Sequence, residues 1–251
     1  MDHMVYTAMS GAQQSLALQD VITNNLANVS TTGFRGEIAA MRAVPVQGAG
    51  ELATRASAMA TTPGANLTPG PVRATGRNMD VAMQGNAWLA VQQPNGSEAY
   101  TRDGNLQINA DGVLNVNGMP VLGQAGPIII SPEATVTVMD DGTVNAVAAG
   151  SQPNTIAAVG RLKLVTPPAG TRLQRQPDGL FQNVVQGTPV PLPEDGNATV
   201  RTGALEGSNV NLVSTMVQMI AAQRLYGMQI KTISTADNDS QTANSILSLD
   251  A

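Results

Sequence analysis

Side chains that could carry out catalysis are few in this sequence, and their spacing does not suit catalysis. His3 is the only histidine and there is no cysteine. No Ser-His-Asp or Cys-His arrangement and no multi-histidine metal site can therefore form within one chain. The run Gly48–Ala53 formally fits a dinucleotide-binding pattern, but it follows a proline-containing stretch instead of a strand. The sequence predicts no catalytic residue, no metal ion and no cofactor.

Carboxylates are the remaining candidates for general acids, general bases or calcium ligands. Most of them precede or adjoin a glycine or begin an apolar run, which is typical of turns. We therefore interpret them as turn residues: Asp80, Asp103, Asp111, Asp140 and Asp141. Trp88, the only tryptophan, could stack on a ligand, but it lies in an apolar run. We expect Trp88 and Tyr100 to belong to the core of a β domain.

Composition excludes several classes of protein. A net charge of −5, with 13 Lys and Arg spread along 251 residues, offers no basic stripe for nucleic acid. No run of about 18 apolar residues could span a bilayer, and residues 1–30 do not resemble a cleaved signal peptide. An N-terminal helix that binds a membrane surface is disfavoured, because that segment has no lysine or arginine before Arg35.

Helical spacing of apolar residues marks both ends of the sequence. Residues 4–29 predict one amphipathic helix that ends near Ser30, where Ser-Thr-Thr-Gly disfavours helix. Residues 209–249 lack proline and predict a second helix of about 40 residues, roughly 60 Å long. The predicted stripes contain Val5, Met9, Ala12, Leu16, Leu18, Ile22, Leu26 and Val29 in the first helix, and Met216, Met219, Gln223, Tyr226, Ile230, Ile233, Asp237, Ser240, Asn244 and Leu247 in the second, with Val213, Val217 and Ile220 beside them.

The middle of the sequence changes character twice. Residues 37–74 are rich in Ala, Thr, Gly and Pro and predict an extended linker. From Asp80 to about Val200, short β-branched or alternating runs are separated by turn dipeptides, which indicates an antiparallel β domain. The hairpin signals are Asn95-Gly96, Asp103-Gly104, Asp111-Gly112, Asn117-Gly118 and Asp141-Gly142.

These patterns predict an α+β protein. Two long terminal helices pair as a coiled-coil-like layer, because each has an apolar stripe that needs a partner. Any part of a stripe left uncovered would be offered to another subunit. The expected segments are an N-terminal helix region (1–36), the linker (37–74), the β-rich domain (75–200) and a C-terminal helix region (201–251).

Two segments resemble a known family. Asn24–Arg35 reads NNLANVSTTGFR and is similar to the N-terminal signature of flagellar rod and hook proteins. Leu205–Leu212 reads LEGSNVNL and is similar to the C-terminal signature of the same family. Three segments between these signatures resemble the β domain of rod proteins: Asp80–Gly85, Ala99–Gly104 and Asn109–Gly112. Within the family, the compact length and the opening VYTAMSGA at Val5–Ala12 are most like a proximal rod protein.

The resemblance implies a non-enzymatic subunit of the flagellar rod, the drive shaft that crosses the periplasm. It further implies export by the flagellar type III apparatus without a cleaved signal, and assembly with other rod proteins and with copies of itself. A distal rod or hook protein remains an alternative, and a secreted β-domain hydrolase is a rival of another class. Stripes and signatures together predict an assembly interface: Val5, Met9, Leu16, Ile22, Asn25, Leu26, Asn28, Phe34, Asn209, Met216, Ile220, Gln223, Arg224, Tyr226, Ile230 and Ile233.

Overall fold

The computed structural model describes residues 2–45, 56–131, 134–147, 157–168 and 170–249. The chain forms two compact units. The helix unit comprises Met1–Val29, Glu37–Ala65 and Val210–Ala251, and the β unit comprises Ser30–Gly36 and Asn66–Asn209. This confirms the predicted α+β class with two paired helices and a central antiparallel β-rich region.

Two long helices dominate the helix unit. They are α1 (Asp2–Ala27) and α2 (Leu212–Leu249), and the 38 residues of α2 extend over about 57 Å. Asn211 caps the start of α2, because its side-chain oxygen accepts the Ser214 N–H at 3.0 Å. No helix in the described part of the chain is long and apolar enough to cross a membrane.

Small side chains form the contact between α1 and α2. The buried positions of α2 are Thr215, Ala222 and Ala236, which follow a seven-residue repeat. A Cβ on Gly11 of α1 would lie only 2.9 Å from the Gln229 side chain, which occupies the fourth position of that repeat. On α1 the buried residues are Ala8, Ala12, Ser15 and Ile22.

The sequence therefore predicted the pairing of the helices, and two of the buried residues, Ala12 and Ile22, lie on its predicted stripes. It assigned the contact to the large apolar stripes, whereas the structure buries mostly Ala, Ser and Thr. Small side chains allow two helix axes to approach closely, and bulky ones on the same faces would separate them. Among the described side chains of both helices, Ile22 is the one larger apolar residue that is buried, and the others are half-buried or exposed.

A β-hairpin completes the helix unit, where the sequence predicted an extended linker. Its strands are β1 (Glu37–Pro45) and β2 (Ala56–Ala65), paired antiparallel from Glu37 opposite Ala65 to Pro45 opposite Ala56. The register shifts between Ile38 and Ala40, so two β2 residues, one of them Pro63, lie opposite a single β1 residue. A bulge is one of the few places where a strand tolerates proline, because that residue has no N–H to donate. The predicted linker segment 46–55, including the formal dinucleotide pattern, lies outside the described residues.

The β unit is built from short antiparallel strands. A six-stranded sheet has the order β15-β5-β6-β17-β16, with β18 paired to β17. The other sheets are β7-β8-β9, β12-β13-β14, β10-β11, β19-β4 and β20-β3. The strands are β3 (Val72–Ala74), β4 (Val81–Met83), β5 (Trp88–Gln92), β6 (Glu98–Thr101), β7 (Gln107–Ile108), β8 (Leu114–Val116), β9 (Met119–Pro120), β10 (Leu122–Gly123), β11 (Gly126–Pro127), β12 (Thr135–Val138), β13 (Thr143–Val147), β14 (Ala157–Arg161), β15 (Leu164–Val165), β16 (Leu173–Arg175), β17 (Phe181–Val185), β18 (Thr188–Pro189), β19 (Val200–Thr202) and β20 (Ala204–Glu206).

Four of the five predicted turn dipeptides connect paired strands. Asn117 and Gly118 have φ of 50° and 80° between β8 and β9, as a type I′ turn requires. Asp103-Gly104 is the exception, since β6 and β7 do not pair with each other. Gly104 instead packs against the Val81 backbone, where a Cβ would lie 1.7 Å from the carbonyl oxygen. A close approach, and not a hairpin turn, explains this glycine.

Both predicted aromatic residues of the β unit are buried. Trp88 is 4% exposed and its ring centroid lies 4.9 Å from that of Phe181. Tyr100 is 1% exposed, and its hydroxyl oxygen accepts the Leu192 N–H at 2.6 Å. Burial is the main cause that raises the pKa of Tyr100 above its ordinary value.

Candidate functional site

The two family-like signatures meet within the β unit. We call the meeting point the signature junction, formed by Thr32–Gly36, Arg102–Asp103 and Glu206–Asn209. At its centre, one carboxylate oxygen of Glu206 accepts a hydrogen bond from Arg35 Nη2 at 2.6 Å. The other oxygen accepts a hydrogen bond from Arg102 Nε at 2.8 Å and lies 2.7 Å from Arg102 Nη2. The three side chains are almost fully buried, and Arg35 and Glu206 are 171 residues apart in sequence.

Each guanidinium nitrogen of Arg102 has a hydrogen-bond acceptor, whereas two of the three guanidinium nitrogens of Arg35 have none among the described residues. Besides Glu206, Arg102 donates to the carbonyls of Met83, Gly85 and Ala87. Arg35 donates only to Glu206, and its buried Nε and Nη1 have no hydrogen-bond partner among the described residues. Burial lowers the pKa of Arg102 below its ordinary value, with the Glu206 charge acting in the opposite direction.

Trp88 lies beside both cations. The guanidinium carbons of Arg35 and Arg102 each lie 5.9 Å from the centroid of its ring. Such contacts offset part of the cost of burying charge. Within the group of Arg35, Arg102 and Glu206, two cations nevertheless face one carboxylate, so these three side chains together carry a formal charge of about +1.

Asp103 fixes the N-terminal signature to the β unit. Its carboxylate accepts Thr32 Oγ1 at 2.8 Å, the Asn105 N–H at 3.0 Å and Asn117 Nδ2 at 2.9 Å. Gly33, at φ 66°, donates its N–H to the Glu206 carbonyl at 2.8 Å. A Cβ at Gly33 would lie 2.3 Å from the backbone of Arg102 and Asp103, so only glycine fits without displacement.

Asn209 joins three backbone segments of the same unit. Its side-chain amide donates to the carbonyls of Asn66 and Thr68 at 2.7 and 2.9 Å. Its side-chain oxygen accepts the Gly36 N–H at 2.8 Å, and its own N–H donates to the Phe34 carbonyl at 3.2 Å. Phe34 is buried, with the Arg175 guanidinium 4.4 Å from its ring centroid. These contacts give Phe34 and Asn209 roles inside the chain, which the sequence did not indicate.

Asn25 plays a comparable part in the helix unit. Its side chain donates to the Glu37 carbonyl at 2.9 Å and accepts the Glu37 N–H at 2.8 Å. This reciprocal pair connects the end of α1 to the first residue of β1. Asn28 donates to the Asn24 carbonyl at 2.9 Å, one turn earlier in the chain.

Large apolar side chains lie exposed along both helices. Five of the predicted interface residues are between 44% and 50% exposed: Met9, Leu16, Met216, Ile220 and Ile230. Val213 and Val217 of the same stripe, together with Tyr6 and Met228, are more exposed still. Of the other predicted positions, Ile22 is buried, Gln223 and Arg224 are exposed, and Val5, Leu26, Tyr226 and Ile233 are half-buried. A folded chain that leaves so many large apolar side chains uncovered presents a surface suited to association.

Sequence reasoning missed the three charged residues that form the buried ion pairs of the signature junction. Arg35 and Glu206 lay in quoted signatures and Arg102 in a quoted β segment, but none was singled out. A usable signal existed, because only 12% of the residues are charged. In a chain with so few charged residues, a charged side chain with no evident role at the surface is a candidate for burial beside an opposite charge.

The described residues contain no group of three or more His, Asp or Glu side chains that could hold a metal ion. Two of the turn carboxylates, Asp103 and Asp141, accept a backbone N–H two residues later, whereas Asp80 accepts the side chains of Thr75 and Arg77. Asp141, for example, accepts the Thr143 N–H at 2.9 Å, and hydrogen bonds from Thr143 are the main cause that lowers its pKa. The described sites consist of a buried group of ion pairs in the β unit and exposed apolar side chains on the helices.

Comparison with known proteins agrees with both signatures. Residues 5–35 match the flagella basal body rod protein family, and residues 201–246 match the C-terminal domain of the flagellar basal body rod FlgEFG proteins. Residues 82–146 match the D1 domain of the flagellar hook protein FlgE/F/G family.

Full-length relatives extend this agreement across the chain. The flagellar basal-body rod protein FlgF of Escherichia coli (strain K12) is 48% identical over 99% of this chain and 100% of the relative. FlgF of Salmonella typhimurium is 46% identical over the same shares, and FlgF of Caulobacter vibrioides is 33% identical over 98% of this chain and 96% of the relative. The predicted resemblance is thus confirmed, and the chain belongs to the flagellar basal-body rod protein family.

Proposed function

We propose that this chain is a structural subunit of the bacterial flagellar rod, most similar to the proximal rod protein, and that it transmits torque without a chemical step. It assembles with other rod proteins and with copies of itself. The observation that carries the proposal is the exposed apolar surface of α1 and α2 in a chain whose relatives are rod proteins. Identity of 46–48% to FlgF of Escherichia coli and Salmonella typhimurium, against about 30% to the FlgG relatives, favours the proximal over the distal rod.

Burial of the helix surface supplies the cohesion. Full burial of a large aliphatic side chain contributes about 1.5–3 kcal/mol, so a half-exposed residue such as Ile220 gains about 1 kcal/mol when a neighbour covers it. Several such residues act in parallel on each subunit. Contacts between unlike faces of neighbouring subunits then extend into a helical filament.

The signature junction gives each subunit a fixed β unit. Glu206 holds Arg35 and Arg102 together, and Asn209 and Asp103 tie the adjoining backbone to the same unit. A stiff unit can pass a force from one neighbour to the next. We place the protein in the basal body, where the rod crosses the periplasm, and infer that the flagellar export apparatus delivers it without a cleaved signal peptide.

Replacing Ile220 by Asp tests the assembly surface. The charge should prevent incorporation into rods and abolish swimming in cells that lack the unaltered protein, because it would be buried unpaired between subunits. The purified variant should keep its thermal unfolding transition, since Ile220 is half exposed in the single chain. Ser234→Asp is the matched control, because Ser234 is an exposed polar residue on the same helix. Normal swimming with Ile220→Asp would contradict the proposal.

A further inference from the structure

A small pocket opens beside the buried cations of the β unit. Its volume is about 250 Å³, below the about 300–1,000 Å³ typical of drug-sized ligands. The space suits one side chain or a small acid. Apolar walls come from Trp88, Pro167 and Pro168, and polar groups come from Asn86 and Thr171. Arg35 and Arg102 also line it.

The charge of this pocket is unbalanced. Both guanidinium groups share the single carboxylate of Glu206, and the nitrogens Nε and Nη1 of Arg35 have no acceptor among the described residues. Buried donors without acceptors are costly, and more so when they carry charge. The protein as a whole has the opposite character, with 18 acidic against 13 basic side chains. A cationic pocket in an acidic protein selects for an anion.

We propose that this pocket binds a carboxylate group. The carboxylate lies towards Arg35 and Arg102, and the carbon chain that bears it packs against Trp88 and the two prolines. An Asp or Glu side chain of a neighbouring protein chain and a free small carboxylic acid share this chemistry. The first source rests on the proposed function, because it requires assembly, whereas carboxylate binding itself does not.

Sodium acetate is the test ligand, and Trp88 is a built-in reporter because it is the only tryptophan and forms a wall of the pocket. Fluorescence of the purified full chain is followed during titration at pH 7, with sodium chloride holding ionic strength constant. Acetate should change the Trp88 emission saturably. At ten times its Kd it should raise the Tm of the β unit by about 3–6 °C. Acetamide, the neutral analogue, should do neither.

Variants separate the pocket from general salt effects. Asn86 is exposed and lines the pocket, so Asn86→Asp places a carboxylate there with little change of shape. This variant should lose the acetate response, whereas Asn95→Asp, in an exposed turn outside the pocket lining, should keep it. Arg35→Gln should lose the response too, but this change also disturbs the signature junction. The Asn86→Asp variant is therefore the test of whether acetate binds in the pocket. No saturable response to acetate, or an equal response in the Asn86→Asp protein, would overturn the proposal.

A second arm identifies the source of the carboxylate. Asn86→Asp and Asn95→Asp are expressed in cells that lack the unaltered protein, and swimming is measured. If a neighbouring chain supplies the group, the Asn86→Asp cells should swim more slowly than the Asn95→Asp cells, because two carboxylates would then meet in one pocket. Equal swimming would assign the pocket to a free acid. Failure of the rod proposal would leave the acetate result with purified protein unaffected.

Discussion

Replacing Glu206 by Gln should destabilise the β unit strongly. The carboxylate accepts from Arg35 and the Gly70 N–H on one oxygen and from Arg102 on the other. Both oxygens therefore face only donors. An amide has one oxygen and one NH2 group, so in either orientation its NH2 would point at donors while two guanidinium groups lose their only carboxylate.

The magnitude follows from the burial. Removing one partner of a buried ion pair costs about 3–5 kcal/mol, and Glu206 has two cationic partners that are nearly inaccessible to solvent. For a unit of roughly 150 residues, a loss of this size lowers Tm by about 6–20 °C.

Urea denaturation followed by Trp88 fluorescence measures this effect, because Trp88 lies beside both arginines. Glu194→Gln is the matched control. Glu194 lies 4.0 Å from Arg161 with both side chains partly exposed, so its loss should cost less than about 1 kcal/mol. A Glu206→Gln protein within about 1 kcal/mol of the unaltered one would refute the view that the junction depends on the buried carboxylate.

Three further changes probe other parts of the fold. Burial raises the pKa of Tyr100 above its ordinary 10.0, so the unfolded chain loses this proton at lower pH than the folded one and stability falls as pH rises past 10. The Tyr100→Phe protein has no such proton, so this part of its free energy of unfolding should not fall at alkaline pH. The difference in free energy of unfolding between the two proteins should therefore shrink between pH 8 and pH 10.5. Ala222→Leu should weaken the α1–α2 contact by about 1–3 kcal/mol, whereas Met228→Leu on the exposed surface should be nearly neutral in the same helix melting experiment. Gly33→Ala should lower the Tm of the β unit, since its Cβ would meet the Arg102 backbone at a positive φ; an unchanged Tm would mean that the junction yields easily.

Elements with a strong local pattern could be predicted from the sequence. The 3.6-residue spacing gave both helices, and glycine-containing turn dipeptides gave most hairpins of the β unit. The β1–β2 hairpin was not predicted, because its strands are rich in Ala and Thr and contain Pro63 at a bulge. Neither an alternation of apolar and polar residues nor a high strand propensity was therefore visible.

Contacts between distant residues could not be read from local patterns. Reasoning by hydrophobicity selected the large side chains of α2 as the seam, although the helices pair through the weaker repeat of Thr215, Ala222 and Ala236. The junction was missed for another reason: nothing in the local sequence at Arg35 indicates a partner 171 residues away. Its ion pairs exist only after the fold has brought both signatures together.

The central claim, that the exposed apolar surface of the helices is buried between rod subunits, is tested most directly by thiol accessibility. The chain has no cysteine, so Ile220→Cys introduces a single reactive site. Labelling with a maleimide should be fast in the purified chain, at least tenfold slower in isolated rods, and fast again after the same rods are depolymerised. Equal labelling rates in rods and in the free chain would show that Ile220 faces solvent in the assembly and would contradict the account.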